Sequence, residues 1–197
     1  ALALATALAV GAGFAVLTGA VLALAWAYSV PPLRLKTRPG ADVASNAVAV
    51  GVLPLLAGWA VARPLVEFPW WFVPQGVAVA VALYVPTTLV DLDADRVAGQ
   101  RTVATRLGRR AAYRLGSGAW VFGAAGTLVL AATDTVIPRS LLRLFAVFLP
   151  VLVLEYHLLI GRATTSAAMV RGIVVLSLTF LVPSTAFALV YTGLWHP

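Results

Sequence analysis

A chain of 197 residues that is 61% hydrophobic and only 11% charged cannot cover its apolar surface with a polar shell. Soluble domains hold roughly 45–50% apolar residues, so a mean hydropathy of +0.97 excludes a water-soluble globule and points to an all-α integral membrane protein. The net charge of +7 would suggest nucleic acid in a soluble protein; here the cations fall in short loops between apolar runs, which points instead to membrane topology and phosphate contact, while the lack of cysteine excludes disulfides and thiolate metal sites.

A helical span needs about 20 apolar residues. Residues 1–30 are apolar throughout, too long for one span and too short for two. They predict half a span followed by a full one, with a turn near Thr18-Gly19. No basic segment precedes the run, which argues against a signal peptide. Because the chain opens inside hydrophobic sequence, with Met169 its only methionine, it reads as the C-terminal piece of a longer protein. Tyr28-Ser29-Val30-Pro31-Pro32-Leu33-Arg34-Leu35-Lys36 closes this region. The two prolines predict an extended stretch that carries Arg34, Lys36 and Arg38 over a cavity mouth.

Further apolar runs cover residues 41–62, 70–91, 112–133, 139–160 and 168–195. That makes seven helices, the first one truncated. Asn46 sits one turn after Asp42 at the start of the 41–62 span and is predicted to face the bundle. Pro54, Pro74, Pro86, Pro150 and Pro183 lie within or at the ends of the runs, where each removes a backbone donor and kinks or ends its helix. Thr87 and Thr88 are placed to satisfy carbonyls freed by Pro86.

The 70–91 run ends in Asp91-Leu92-Asp93-Ala94-Asp95-Arg96, which holds three of the seven acidic residues in five positions. On a continued helix Asp91 and Asp95 share a face, about 40° apart, and Asp93 points elsewhere. Two carboxylates on one face repel unless a cation sits between them. Magnesium prefers one or two carboxylates, completed by phosphate oxygens and water, and Arg34 and Lys36 supply the cations that hold phosphate. Together these features predict a site for a magnesium-bound diphosphate at one membrane face. The alternative readings are a solvated acidic loop and plain membrane anchors. Gly99 and Thr102 read as a turn and the cap of a short helix, and Arg109, Arg110 and Arg114 read as anchors. Glu155 and His157, near the end of the 139–160 span, are functional candidates because ionisable groups inside a membrane are costly; Glu155 could instead pair with Arg162.

Strict alternation of spans puts eleven cations on one side (Arg34, Lys36, Arg38, Arg96, Arg101, Arg106, Arg109, Arg110, Arg114, Arg162 and Arg171) and three on the other (Arg63, Arg139 and Arg143). By the positive-inside rule the first side is cytoplasmic, and both polar segments share it. Trp70, Trp71 and Trp195 fall at the opposite boundary, as interfacial aromatics.

The pattern Tyr28-Ser29…Pro31-Pro32…Arg34-Leu35-Lys36, with Asp91-x-x-x-Asp95-Arg96-x-x-Gly99-x-x-Thr102 and Leu107-Gly108, resembles the UbiA superfamily of intramembrane prenyltransferases. The resemblance implies a nine-helix bundle around a lipid-open cavity. Residues 1–197 would form one N-terminally truncated transmembrane domain, supplying about seven of the nine helices, the third to the ninth. It also implies two aspartate-rich motifs that hold Mg2+ and a prenyl diphosphate. The first motif has no match here and would precede Ala1, so the piece alone is expected to be inactive. Carried over residue by residue, Asp91 and Asp95 would hold the metal, and Arg34, Lys36 and Arg96 the diphosphate. Tyr28 would steady an allylic cation, and Asn46 would line the acceptor cavity. The stretch Lys36-Thr37-Arg38-Pro39…Asp42…Ser45-Asn46 is most similar to lycopene elongases, and the apolar cavity walls suit a lipophilic acceptor such as a carotenoid. Transfer to a chlorophyll or quinone precursor is the alternative within the family. A non-catalytic lipid-phosphate carrier or transporter, or an assembly partner, is the alternative outside it.

Overall fold

The computed structural model describes residues 2–196, and all regular structure among them is helical. In chain order these are α1 (Leu2–Val10), α2 (Ala12–Ser29), α3 (Ala41–Ala62), α4 (Trp70–Val90), α5 (Leu92–Val97), α6 (Val103–Leu107), α7 (Arg109–Ala132), α8 (Arg139–Gly161) and α9 (Ser166–Tyr191). Six of them, α2, α3, α4, α7, α8 and α9, are long and apolar enough to cross a membrane. With the nine-residue α1, they match the expected half span plus six full ones. The protein is therefore a multi-pass membrane protein of all-α class. Side chains such as Phe122, Val174, Leu178 and Leu181 are exposed on the outside of the bundle, where lipid replaces water.

The first turn lies elsewhere than the sequence predicts. It falls at Gly11, with φ 155°, not at Thr18-Gly19. The Thr18 hydroxyl donates to the Phe14 carbonyl at 2.9 Å and stays inside α2. Gly11, lacking a Cβ, tolerates such a backbone without a steric penalty.

Helix α4 is the hub. On one side it meets the widened turn of α3 at Ala47–Val52. There Gly51 and Gly76 let two backbones touch, since a Cβ on either glycine would collide with the carbonyl of the other. The widening immediately precedes Leu53-Pro54. Pro54 has no N–H to return to the carbonyl four residues back, and this loosens the turn. On its other side α4 packs against α7, α8 and α9 through a core that includes Val85, Leu141, Leu152, Ile160 and Leu176. Near the tryptophan-rich end, the buried Gln75 amide donates to the Gly123 carbonyl and to Thr127 Oγ1, tying α4 to α7.

Pro86 also lies inside α4, and its missing N–H frees the carbonyl of Ala82. The sequence points to Thr87 and Thr88 as compensating donors, but their hydroxyls bond Tyr84 O at 2.6 Å and Val85 O at 2.8 Å. The Ala82 carbonyl is satisfied from another helix, by the Tyr156 hydroxyl at 3.0 Å. A threonine side chain reaches back only three or four residues, which from positions 87 and 88 reaches carbonyls 83 to 85. Tyr156 is 1% exposed and stacks on Trp120 and Tyr113.

Tyr156→Phe keeps the packing and removes the donor. It should destabilise the folded protein by about 1–2 kcal/mol, read as a lowered thermal midpoint in detergent. An unchanged midpoint would mean that the Ala82 carbonyl needs no partner.

Candidate functional site

The site is built on the end of α4. Tyr84, Thr87 and Thr88 lie on the same side of the helix, which stops at Val90, and Asp91 takes φ −88° and ψ −3° at the joint with α5. The Asp95 N–H donates to the Asp91 carbonyl at 2.8 Å, so helical register crosses the joint although the helix is not continuous. Asp91 and Asp95 consequently open into one cavity of about 490 Å³. Asp93 points to solvent, its side chain 92% exposed, and pairs with Arg96 at 3.3 Å.

The opposite wall comes from the chain after α2. Tyr28, Arg34 and Lys36 line the same cavity, so both polar segments meet at one end of the bundle. Residues 31–33 turn instead of extending, and the Arg34 N–H donates back to Val30 O at 3.0 Å. Arg34 itself lies in the left-handed region, with φ 42° and ψ 54°. For a residue with a Cβ this costs about 1–2 kcal/mol. Two bonds from Thr37 to the Arg34 carbonyl, from N–H at 3.1 Å and from Oγ1 at 3.0 Å, hold it there. Strain of this kind concentrates where a side chain must be aimed. Arg38 does not reach the cavity; its Nη2 donates to Pro32 O at 3.0 Å and fastens the turn.

Two further residues of the expected set lie outside the lining. Arg96 follows Asp95 by one position, about 100° around the helix, and is occupied by Asp93 on the outer surface. Asn46 is half-buried on α3. It is not among the residues that line this cavity. The structure adds Tyr84, Thr87, Thr88, Gln100 and Thr102 to the lining. The Tyr84 and Tyr28 hydroxyls are 3.5 Å apart. The signal for the first three was present in the sequence: counted back from Asp91 by helical steps of three and four, the same face carries 88 or 87 and then 84. Thr102 caps α6, accepting from the Thr105 N–H at 3.3 Å, and Gly99 turns the chain at φ 64°.

Among the described residues the ion pairs are Arg96–Asp93 and Arg63–Glu67, so no cation is committed to Asp91 or Asp95. No group of three or more His, Cys, Asp or Glu side chains gathers there. A metal at this site would rest on two carboxylates and take its other oxygens from a ligand and water. That donor set suits magnesium with a diphosphate and does not suit a closed protein-only metal cage. Glu155 and His157 stand apart from the cavity. Glu155 Oε1 accepts from Thr179 Oγ1 at 3.1 Å and does not pair with Arg162, and His157 Nδ1 lies 2.9 Å from the Tyr113 hydroxyl.

The model of the UbiA prenyltransferase family matches residues 1–173. A lycopene elongase/hydratase of Halobacterium salinarum is 37% identical over 102 residues, covering 52% of this chain and 36% of that protein. Proteins of the same description from Haloferax volcanii and Haloarcula japonica are 35% and 34% identical over 111 residues each, covering 56% and 54% of this chain. The matched stretches span only a little over a third of these relatives' lengths. No solved structure matches the chain. With a family match across nearly nine-tenths of its length, the chain belongs to the UbiA prenyltransferase family.

Proposed function

We propose that the protein transfers a prenyl group from an allylic diphosphate to a lipophilic acceptor in the membrane, in a magnesium-dependent reaction, and that the acceptor is a carotenoid such as lycopene. One observation carries the reading: two unneutralised carboxylates, Asp91 and Asp95, share a cavity with Arg34, Lys36 and Tyr28 at the end of an apolar bundle. Magnesium held by Asp91 and Asp95 would neutralise the diphosphate and make it a better leaving group. Arg34 and Lys36 bind the remaining phosphate oxygens and stabilise the negative charge that grows as the carbon–oxygen bond breaks. Tyr28 and Tyr84 line the same cavity, and the face of either ring would stabilise positive charge on the allylic carbon. The apolar bundle beyond this polar cavity would keep water from that carbon. An electron-rich double bond of the acceptor then attacks, and loss of a proton completes the transfer. The carotenoid acceptor is supported by the description of the relatives and by the scarcity of polar groups in the bundle. Burying an unpaired carboxylate of an aromatic-acid acceptor there would cost several kcal/mol by rough estimate. The eleven-to-three distribution of cations supports a cytoplasmic location for this face.

In a lycopene-producing host, expression of the natural gene should convert lycopene into heavier, prenylated pigments detectable by mass. Unchanged lycopene with prenylation of a quinone or chlorophyll precursor would overturn the acceptor alone. Binding of a phosphorylated lipid without any transfer would favour a carrier.

Asp91→Ala and Asp95→Ala should abolish the magnesium-dependent reaction. Asp93→Ala and Arg96→Ala, an exposed pair outside the cavity, should change it by no more than roughly threefold. Equal losses at all four positions would contradict the assignment.

Because the chain has no native cysteine, Thr37→Cys and Ala98→Cys report topology cleanly. Both should label from the cytoplasmic side; labelling from opposite sides would refute the arrangement.

A further inference from the structure

Asp42 is 0% exposed, and no Lys or Arg pairs with it among the described residues. Its two carboxylate oxygens are divided between two backbone donors. Oδ1 accepts from the Gly40 N–H at 2.8 Å, and Oδ2 accepts from the Val103 N–H at 2.7 Å, across 61 positions of sequence. Burying a carboxylate is costly even when it is hydrogen-bonded, and an apolar side chain of similar size would fill the same space without charge. What a carboxylate offers here is two acceptors and no donor.

Both ends of the Asp42–Val103 link lead to the cavity. On one side, the Asp42 N–H donates to Arg38 O at 3.0 Å, and the Arg38 N–H to Leu35 O at 3.0 Å, joining Asp42 to the segment that carries Arg34 and Lys36. On the other side, Val103 follows Thr102 and Gln100, which line the cavity, and the Gln100 N–H donates to Asp95 O at 2.8 Å. We propose that Asp42 is a positioning residue that fixes the wall bearing Arg34 and Lys36 against the wall bearing Asp95, and so sets the span of the cavity for a magnesium diphosphate. This rests on the reading of the cavity as a diphosphate site; the clamp itself has its own readout.

Spin labels on Leu33→Cys and Val97→Cys, both outside the lining, measure the separation of the two walls in lipid nanodiscs by pulsed EPR. The wild-type background should give one narrow distance. Asp42→Ala and Asp42→Asn should broaden it, the asparagine because it has one acceptor oxygen and would set an NH2 against an N–H. A distance that stays narrow in both variants overturns the clamp. The Val103 amide of the unaltered protein gives a second check that needs no variant: it should exchange slowly with deuterium, and fast exchange overturns the clamp. Calorimetry with magnesium and inorganic diphosphate then separates positioning from folding. Asp42→Asn should weaken affinity roughly tenfold at full stoichiometry, whereas a purely structural loss would lower the stoichiometry and leave affinity unchanged. If the wild type binds no magnesium diphosphate while the distances behave as expected, the clamp stands and the diphosphate reading falls.

Discussion

The polar face of this protein depends on where α4 stops. Inside lipid every backbone donor and acceptor must find a partner within the protein, so a helix that carries carboxylates to the membrane boundary has to be held at a fixed depth. Helix α4 is held at three levels. Near the tryptophan-rich end, Gly76 meets Gly51 and the Gln75 amide reaches α7. Midway, the carbonyl left open by Pro86 takes the Tyr156 hydroxyl. At the far end, the Val90 carbonyl, which has lost its helical partner, accepts from Ser166 Oγ at 3.1 Å. Asp91 follows immediately. A shift along any of these contacts would move both carboxylates relative to Arg34 and Lys36.

Charges of opposite sign face one another across the cavity without pairing. Asp91 and Asp95 stand on one wall and Arg34 and Lys36 on the other, and no ion pair closes between them among the described residues. Such an arrangement suits a strongly anionic ligand bound with a divalent cation: the carboxylate wall would hold the cation, and the basic wall would hold the anion's outer oxygens. The place of the cavity at the end of an apolar bundle fits an amphipathic donor. A diphosphate head can stay at the aqueous boundary while its hydrocarbon tail lies in a region that excludes water.

The spans were legible because runs of about 20 apolar residues are a direct consequence of bilayer thickness. The shared face of Asp91 and Asp95 was legible because helical periodicity survives the joint at Asp91, carried by one backbone hydrogen bond. What the sequence concealed was mostly long-range. Nothing near Ala82 announces that its carbonyl will be met by Tyr156, 74 positions away, and nothing near Asp42 announces Val103. The break at Gly11 was hidden because glycine and threonine are also common inside membrane helices, so Gly11 and Thr18-Gly19 look equally suited to a turn. Arg96 was drawn into the predicted set by its place in a family pattern, whereas one residue's rotation about α5 sends it to Asp93.

Phosphorus NMR of inorganic diphosphate, titrated with the protein in nanodiscs in the presence and absence of Mg2+, tests the paired-carboxylate site most directly. The expected result is a shift or broadening of the diphosphate resonance that needs Mg2+ and disappears in Asp91→Ala and Asp95→Ala. Binding that is equally strong without the metal, or unchanged in both variants, would contradict it.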